Sequence, residues 1–199
     1  MYQRTKLQYL QALNQHINSY SPISEESWNK IENICTLKEL SKGKTLLYLG
    51  DVADEHYFIV KGLLRAYFSD IDGNIYNKNL FLENSFAGST VSLLQNSPSE
   101  FCLEALEDTT LIVIPYKAYR ALINECADLK DFYIAYLEQN WVIEKECIEV
   151  ALVLEDATQR YLTYLEKYPN IENRVAQHHI ASHLGITPTQ LSRIRKNLK

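Results

Sequence analysis

The chain has 199 residues, 46% of them hydrophobic, and a formal net charge of −5 at pH 7. This length and apolar content allow one large domain or two small ones, and no apolar run reaches the roughly 18 residues that a membrane span requires. The polar amino-terminal residues are not followed by an apolar signal segment, which predicts a cytoplasmic protein. The four cysteines are scattered and never form a Cys-x-x-Cys pair, so neither a metal site nor an iron–sulfur cluster is expected.

The first 40 residues predict helices. Apolar residues recur at spacings of three and four, as in Leu7, Leu10, Leu13 and Ile17. Ser21-Pro22 interrupts this pattern. Ser24 is a candidate N-cap for a second helix, with Ser27 as the alternative.

Residues 42–115 predict short β-strands separated by turns. The expected strands are 46–49, 57–60, 63–68, 75–81, 101–106 and 110–114. The segment Ser69–Asn74 contains Asp72-Gly73 and is a strong hairpin signal. Strands this short, with turns this frequent, favour an antiparallel sandwich or barrel.

Residues 129–154 predict one long helix with two apolar stripes. The first stripe follows strict heptad spacing and comprises Leu129, Tyr133, Tyr136, Asn140, Ile143, Cys147, Val150 and Leu154. In parallel dimers an Asn at a seam position, here Asn140, favours two strands in one register. We therefore expect this stripe to be the interface of a homodimer. The second stripe is Ile134, Leu137, Trp141, Ile148 and Leu152, which we expect to pack against the chain's own β domain. The alternative is a single core helix in a monomer.

The carboxyl-terminal segment carries the opposite charge to the rest of the chain. Asn173–Lys199 contains five Lys or Arg and no Asp or Glu, which gives it a charge of +5 and leaves −10 on residues 1–172. An acidic body repels DNA, while a basic end attracts the phosphate backbone. This distribution favours a nucleic-acid partner for the carboxyl-terminal segment.

The same segment predicts two helices joined by a tight turn. Ile180, Ala181 and Leu184 lie on one face of the first helix, and Gly185 provides the turn. Thr187 is a good N-cap and Pro188 a good first residue for the second helix. The buried stripe of that helix is expected to be Leu191, Ile194 and Leu198. The polar side chains predicted to contact DNA are Thr187, Thr189, Gln190, Ser192, Arg193, Arg195 and Lys196. The alternative is an ordinary helical hairpin with a solvated basic face.

The β-rich segment, the long helix and the two carboxyl-terminal helices follow one another in the order of a known family. In this order they resemble the cyclic-AMP receptor protein/FNR family of bacterial transcription regulators. The segments that carry the resemblance are Lys61–Arg65, Asp72-Gly73, Phe86-Ala87-Gly88, Ile114-Pro115-Tyr116 and Ile180–Arg195. The resemblance implies an α+β fold. Residues 1–128 would form a cyclic-nucleotide-binding-like antiparallel β-roll flanked by helices, 129–154 the dimerisation helix and 155–199 a helix-turn-helix domain. It also implies a homodimer that binds a palindromic operator in double-stranded DNA and contacts RNA polymerase.

The chain departs from the family in the phosphate-binding segment. Members that bind cyclic AMP resemble Phe-x-Gly-Glu-Leu-x-Leu, followed further along by an Arg that neutralises the phosphate. Here Ser89 stands in the place of the Glu and Ser99 in the place of the Arg, with Glu100 beside it. Burying a phosphate without a bidentate cation is costly, so we expect no cyclic-AMP binding and leave the effector unidentified.

A pocket lined by hydroxyls and aromatic rings is one reading of what remains; the other is a roll packed shut by its own side chains. The candidate pocket residues are Gly88, Ser89, Thr90, Ser92, Ser99, Phe101, Trp141, Glu144 and Lys145. The β-hairpin wing that usually follows the recognition helix is expected to be reduced or absent. Phosphate contacts would then fall to Arg195, Lys196, Lys199 and the recognition-helix amino terminus.

Two other functions compete with DNA binding. In one, the chain is a small-molecule or redox sensor whose helical hairpin binds a protein. In the other, it is a cupin-type enzyme, which needs clustered metal ligands on strands, yet His56 is the only His in the β region. No Ser/His/Asp, Cys/His or phosphate-loop pattern stands out, so we expect a protein that is not an enzyme and has no cofactor.

Overall fold

The computed structural model describes the backbone of residues 2–73 and 75–198 and the side chains of residues 6–73 and 75–198. The chain begins with helices α1 (Tyr2–Tyr20) and α2 (Glu25–Ile34). Ser24 is the N-cap of α2, and its hydroxyl accepts a hydrogen bond from Ser27 N at 3.2 Å. Ser27 lies inside the helix and donates from its own hydroxyl to Asp128 at 2.7 Å. Ser24 is thus the cap, as predicted.

The β-roll consists of two four-stranded antiparallel sheets. Its strands are β1 (Thr36–Leu40), β2 (Thr45–Leu47), β3 (Glu55–Lys61), β4 (Leu64–Ser69), β5 (Ile75–Phe81), β6 (Phe86–Ala87), β7 (Cys102–Ala105) and β8 (Thr109–Pro115). The first sheet has the order β1-β8-β3-β6 and the second β2-β7-β4-β5. A short helix, α3 (Thr90–Gln95), separates β6 from β7. The predicted strands are confirmed, whereas β1, β6 and α3 were not predicted.

Alternation along β3 gives the first sheet two buried faces. Tyr57 and Ile59 point between the sheets and join the interior core of the roll. Phe58 points outward and joins a second core with the helices that cover the sheet. At the turn into β4, Gly62 has φ +96°, and an added Cβ would lie 2.5 Å from Thr109 Oγ1 and 2.8 Å from Asp108 O. Only glycine fits that turn.

The roll is followed by α4 (Tyr116–Glu125), α5 (Ala127–Leu137), a π-helical turn (Glu138–Ile143) and α6 (Glu144–Leu154). Helices α4 and α5 cover the outer face of the first sheet, and the π-helical turn carries the chain from α5 into α6. The helices α1, α4 and α5 pack on Phe58, Ile112 and Ile114 of the sheet. The predicted long helix is therefore present, but it is not a uniform α-helix.

The predicted heptad seam needs correction in its first half. Leu129 is 0% exposed in the chain's own core, and Tyr133 and Tyr136 pack against that core. Asn140 donates to Tyr20 Oη at 3.1 Å in α1. These four residues face their own domain, because the aromatic rings fill the space beneath α1. Ile134, predicted to face inward, is exposed instead.

The second half of the seam lies on the surface of the chain. A π-helical turn inserts an extra residue per turn and changes the register of whatever follows it. From Ile143, the last residue of this turn, through α6, seven apolar side chains are exposed. They are Ile143, Cys147, Ile148, Val150, Leu152, Val153 and Leu154. The predicted inward stripe is wrong for Ile148 and Leu152, which are 52% and 57% exposed.

Four helices complete the chain: α7 (Ala157–Lys167), α8 (Ile171–Arg174), α9 (Gln177–His183) and α10 (Pro188–Asn197). Asp156 and Gln159 form a capping box at the start of α7. The core of these helices also takes in Leu63, Leu80 and Leu106 of the roll, so they pack directly on the second sheet. Leu198, predicted to be buried, is 47% exposed, because it caps α10 beyond the last core turn. Within the described residues no strand follows β8.

Candidate nucleic-acid interface and ligand cavity

Local sequence signals set the geometry of α9, the turn and α10. Gly185 has φ +69°, a conformation that favours glycine. The Thr187 hydroxyl accepts a hydrogen bond from Gln190 N at 3.1 Å, and Pro188 is the first residue of α10. Ala181 is fully buried, and Leu191 of α10 packs in the same core. The two helices therefore adopt the predicted helix–turn–helix arrangement.

The predicted DNA-contacting side chains share the outer face of α10. Those that are exposed are Thr187, Thr189, Gln190, Ser192, Arg193 and Lys196. Arg195 differs, because its Nε donates to Glu172 Oε1 at 2.7 Å and its charge is partly neutralised. A groove of about 290 Å³ runs beside it, lined by Gln177, Ser192, Arg195 and Lys196. Lys199, the remaining predicted phosphate contact, lies outside the described residues.

Two of the three histidines in this segment are neutral at pH 7. Burial lowers the pKa of His183 to about 4, with repulsion from Lys167 adding to the effect. Burial, His178 and Arg65 together lower the pKa of His179 to about 4. These two imidazoles therefore add no positive charge at pH 7. The positive charge that α10 presents to solvent comes from Arg193 and Lys196.

The carboxyl-terminal helices are held on the roll by polar contacts as well as by their shared core. Arg174 binds two carboxylates at once, with Nη2 at 2.8 Å from both Glu83 Oε1 and Glu107 Oε2. Asn77 N in β5 donates to Ser182 Oγ at 2.8 Å, and Asn77 Nδ2 donates to the His179 carbonyl at 3.0 Å. Because α9 faces the sheet, the polar face of α10 is left toward solvent.

The segment that corresponds to a phosphate site is closed. Ser89, Ser92 and Ser99 are buried. The hydroxyls of Ser89 and Ser99 are hydrogen-bonded to each other at 2.9 Å. Ser92 Oγ donates to the Ser97 carbonyl at 2.5 Å and accepts from Ala53 N at 2.9 Å. At this segment the structure matches the second sequence reading, a roll packed shut by its own side chains.

A cavity of about 90 Å³ lies instead where β5 and β6 meet α4, α5 and the π-helical turn. Its lining consists of His56, Lys78, Asn79, Phe81, Phe86, Gly88, Thr90, Ile114, Tyr116, Tyr119, Phe132, Tyr133, Tyr136, Leu137 and Trp141. Gly88, Thr90 and Trp141 are the predicted pocket residues that reach it. The others do not line it: the three serines are closed off and Phe101 packs in the roll interior. Glu144 pairs with Lys167 and Lys145 with Glu149.

The cavity combines aromatic walls with the side chain of one lysine, Lys78. Burial lowers the pKa of His56 to about 4, although the Ala87 carbonyl favours its charged form, so the imidazole is neutral at pH 7. Burial also lowers the pKa of Lys78, whose Nζ lies 4.9 Å from the centre of the Phe101 ring. The aromatic lining of the cavity could not be predicted from the sequence, because the pairs Tyr116/Tyr119 and Tyr133/Tyr136 have the spacing of ordinary core positions.

Among the described residues there is no group of three or more His, Cys, Asp or Glu that could hold a metal ion. Nor is any helix in the described part of the chain long and apolar enough to cross a membrane.

Comparison with known proteins identifies the roll. The cyclic nucleotide-binding domain family matches residues 37–126. No curated protein matches the sequence. The family profile therefore covers the β-roll and the helix α4 that follows it.

Solved structures match over most of the chain. The catabolite activator protein of Thermus thermophilus is 22% identical, with a TM-score of 0.54 over 88% of this chain and 84% of that one. The c-di-GMP-responsive global regulator CLP of Xanthomonas campestris is 16% identical, with a TM-score of 0.67 over 88% and 91%. FixK2 of Bradyrhizobium japonicum is 18% identical, with a TM-score of 0.65 over 83% and 84%. At these identities the match establishes a shared fold.

Proposed function

We propose that this chain, which has the cyclic nucleotide-binding domain and the fold of the cyclic-AMP receptor protein/FNR regulators, is a homodimeric DNA-binding transcription regulator. The resemblance drawn from the sequence is confirmed at the level of domain and fold. DNA binding, the dimer and the contact with RNA polymerase in the cytoplasm are parts of the proposal.

The exposed polar face of α10 carries the proposal. It offers hydroxyl, amide and guanidinium groups on the first turns of a helix whose other side is buried through Leu191 and Ile194. Such a helix can enter the major groove and read base edges. Arg193 is the side chain we assign to a bidentate contact with guanine, and Lys196 the one we assign to a phosphate.

The apolar surface of α6 supports the dimer. A cluster of large apolar side chains is normally buried, whereas α6 exposes Val150, Leu152 and Leu154 in the single chain. Packing α6 against α6 of a second copy around a two-fold axis removes this surface from water. The interface begins at the π-helical turn rather than at Leu129, and Ile143, Cys147, Val150 and Leu154 remain its proposed residues.

We infer that the effector is not cyclic AMP. The domain class points to a nucleotide, but Ser89 and Ser99 fill the phosphate segment with a hydroxyl pair. No Arg or Lys among the described residues takes the place of the phosphate-binding Arg in that segment. Opening the pair for a phosphate would leave the anion without a charged partner.

Selection from random double-stranded DNA tests the proposal. Two recognition helices of a symmetric dimer sit about 34 Å apart, so the selected site should be a palindrome whose half-sites are one helical turn apart. Arg193→Ala should weaken that site by roughly 1–3 kcal/mol and relax one base position. Lys196→Ala should weaken all DNA alike and lower the salt slope by about one.

Both variants should remain dimers, because neither residue touches the core. Selection of no palindrome would favour the rival function, in which the helical hairpin binds a protein. Equal affinity of Arg193→Ala and the unaltered protein for the selected site would refute the assignment of α10 as the recognition helix.

A further inference from the structure

We propose that the cavity beneath Trp141 binds a small single-ring aromatic acid, with its ring among the aromatic side chains and its carboxylate at Lys78. The binding itself is independent of DNA. Only its use as a signal rests on the proposed function.

The walls of the cavity select an aromatic ring. Eight of its fifteen lining residues are Phe, Tyr or Trp, contributed by β5, β6, α4, α5 and the π-helical turn. Aromatic pairs prefer edge-to-face or offset geometry, which suits a guest ring enclosed by several others. Tyr119 and Tyr133 already meet edge to face, with ring centres 6.4 Å apart, as do Phe86 and Tyr136 at 5.4 Å.

The charge of the cavity selects an acid. Lys78 is the charged residue among those that line it, and the lining contains no Asp or Glu in the described part of the chain. His56, deep in the cavity, is held neutral by burial, so it adds no positive charge. The charge of Lys78 favours an anion over a neutral ligand of the same shape, although solvent at the exposed mouth screens part of this attraction.

The small size of the cavity excludes a nucleotide. Its volume of about 90 Å³ has no room for a purine joined to a sugar and a phosphate. Gly88 contributes to the space, since a Cβ at that position would lie 2.9 Å from His56 Nδ1. Lys78 and Trp141 are the exposed members of the lining and mark the mouth. A carboxylate held at the mouth keeps its outer oxygen in contact with water.

The position of the cavity joins it to the dimer helix. Trp141 lies inside the π-helical turn that leads directly into α6. Asn140, its neighbour, donates to the Tyr136 carbonyl at 2.9 Å and to Tyr20 Oη at 3.1 Å, which anchors the turn to α1 and α5. Such turns frequently occur at functional sites. A ring packed under Trp141 therefore contacts the residue at which the helix leaves its own domain.

Calorimetric titration of the purified dimer with benzoate tests the proposal. Benzoate should give saturable heat, and neutral benzamide, which has the same ring, should bind at least about tenfold more weakly. Lys78→Met keeps the aliphatic stem and removes the charge. It should weaken benzoate at least about tenfold and leave benzamide unchanged. Lys61→Met, on the exposed end of β3, is the matched control and should bind benzoate like the unaltered protein.

Fluorescence gives a second measurement of the site. The chain has two Trp residues, so Trp28→Phe leaves Trp141 as the sole reporter. Benzoate should change its emission along the same binding curve as the heat. Thermal unfolding checks that Lys78→Met is folded, and an unfolded variant is replaced by Lys78→Gln in the same comparison.

Absence of saturable benzoate binding up to millimolar concentration would overturn the proposal. So would equal affinities for benzoate and benzamide, or an unchanged benzoate affinity in Lys78→Met. Because no DNA is present in these titrations, their failure would leave the operator selection untouched. Failure of the operator selection would likewise leave the binding site standing.

Discussion

Replacing Arg174 with Met should loosen the carboxyl-terminal helices from the β-roll. Arg174 makes a bidentate pair with Glu83, at 2.9 Å from Nη1 and 2.8 Å from Nη2, and another with Glu107, at 3.0 Å from Nε and 2.8 Å from Nη2. Its Nη2 also lies 3.3 Å from the Gly62 carbonyl. One guanidinium group thus joins α8 to three parts of the roll.

The loss should be about 1–3 kcal/mol in the free energy of unfolding. Breaking a fully buried ion pair costs about 3–5 kcal/mol, while an exposed pair contributes about 0–1. The three side chains are 27–32% exposed, which places the network between these limits. Removing the cation also leaves two carboxylates facing each other without a counter-charge.

The effect should depend on pH in a defined direction. Burial alone would raise the pKa of Glu83, but the hydrogen bonds from Arg174 and from Gly62 N outweigh it and hold the pKa below its ordinary value of 4.5. A carboxylate whose pKa is lowered in the folded chain stabilises that chain at pH values above the ordinary pKa. This contribution disappears as the pH falls through the lowered pKa. The difference between the Arg174→Met variant and the unaltered protein should therefore be full at pH 7 and shrink below about pH 4.

Urea unfolding followed by circular dichroism measures this loss. Lys145→Met is the control, because Lys145 pairs with Glu149 at 3.6 Å on an exposed face and should matter little. In a double-mutant cycle with Glu83→Gln, the stability lost in the double variant should be smaller than the sum of the two single losses, since both substitutions remove the same ion pair. If Arg174→Met unfolds at the same urea concentration as Lys145→Met, the ion pairs of Arg174 do not hold the carboxyl-terminal helices on the roll.

Three further predictions concern the dimer, the effector and the amino-terminal helices. Ile143→Asp should give monomers by light scattering, because it places a charge in the proposed interface. Leu129→Ala should instead lower the free energy of unfolding by about 2–5 kcal/mol without changing the α6 surface. An intact Ile143→Asp dimer would contradict the interface. Millimolar cyclic AMP should give no saturable heat, and a micromolar dissociation constant would show that the hydroxyl pair opens. Asp128 accepts bonds from Ser24 N and Ser27 Oγ, and these outweigh burial to lower its pKa to about 2. Asp128→Asn should therefore lower the melting temperature at pH 7 by about 2–4 °C, with the difference vanishing as the pH falls through about 2.

The carboxyl-terminal helices could be predicted from sequence because their signals are local. Gly185, Thr187 and Pro188 each fix one backbone feature within a few residues, and the structure has all three as predicted. The hairpin between β4 and β5 is local in the same sense, since Gly73 has φ +82° at its turn. The predicted burial of Leu198 was wrong, because periodicity does not say where the core beneath a helix ends.

Strand β1 was missed because its partner is distant. Thr36–Leu40 follows a helix and contains Leu, Lys and Glu, which are good helix formers. Pairing with β8, from Thr36 opposite Val113 to Leu40 opposite Thr109, outweighs that local preference. Nothing within a short window of sequence signals a partner so far along the chain.

The heptad seam failed for a different reason. Counting in fours and threes finds an apolar stripe but does not say which neighbour covers it, and Leu129, Tyr133 and Tyr136, which lie before the π-helical turn, pack in the chain's own core. Asn140 looked like a register-setting seam residue, but its amide serves Tyr20 within the same chain. The sequence predicted a long helix with two buried faces; in the described chain α5 packs against its own domain, while the large apolar side chains of α6 are exposed and their burial in a dimer stays a prediction.

The predicted pocket and the observed cavity share only part of their lining. The prediction combined the serine segment with residues of the long helix, and of these Gly88, Thr90 and Trp141 line the cavity. The Ser89 and Ser99 hydroxyls are hydrogen-bonded to each other instead. The open space lies toward the long helix, where the wide turn holds Trp141 over the rings of α4 and α5. The proposed ligand would meet His56 of β3 and Lys78 of β5 instead of a phosphate-binding arginine, so the roll still supplies the polar groups of the site while the helices supply most of its aromatic walls.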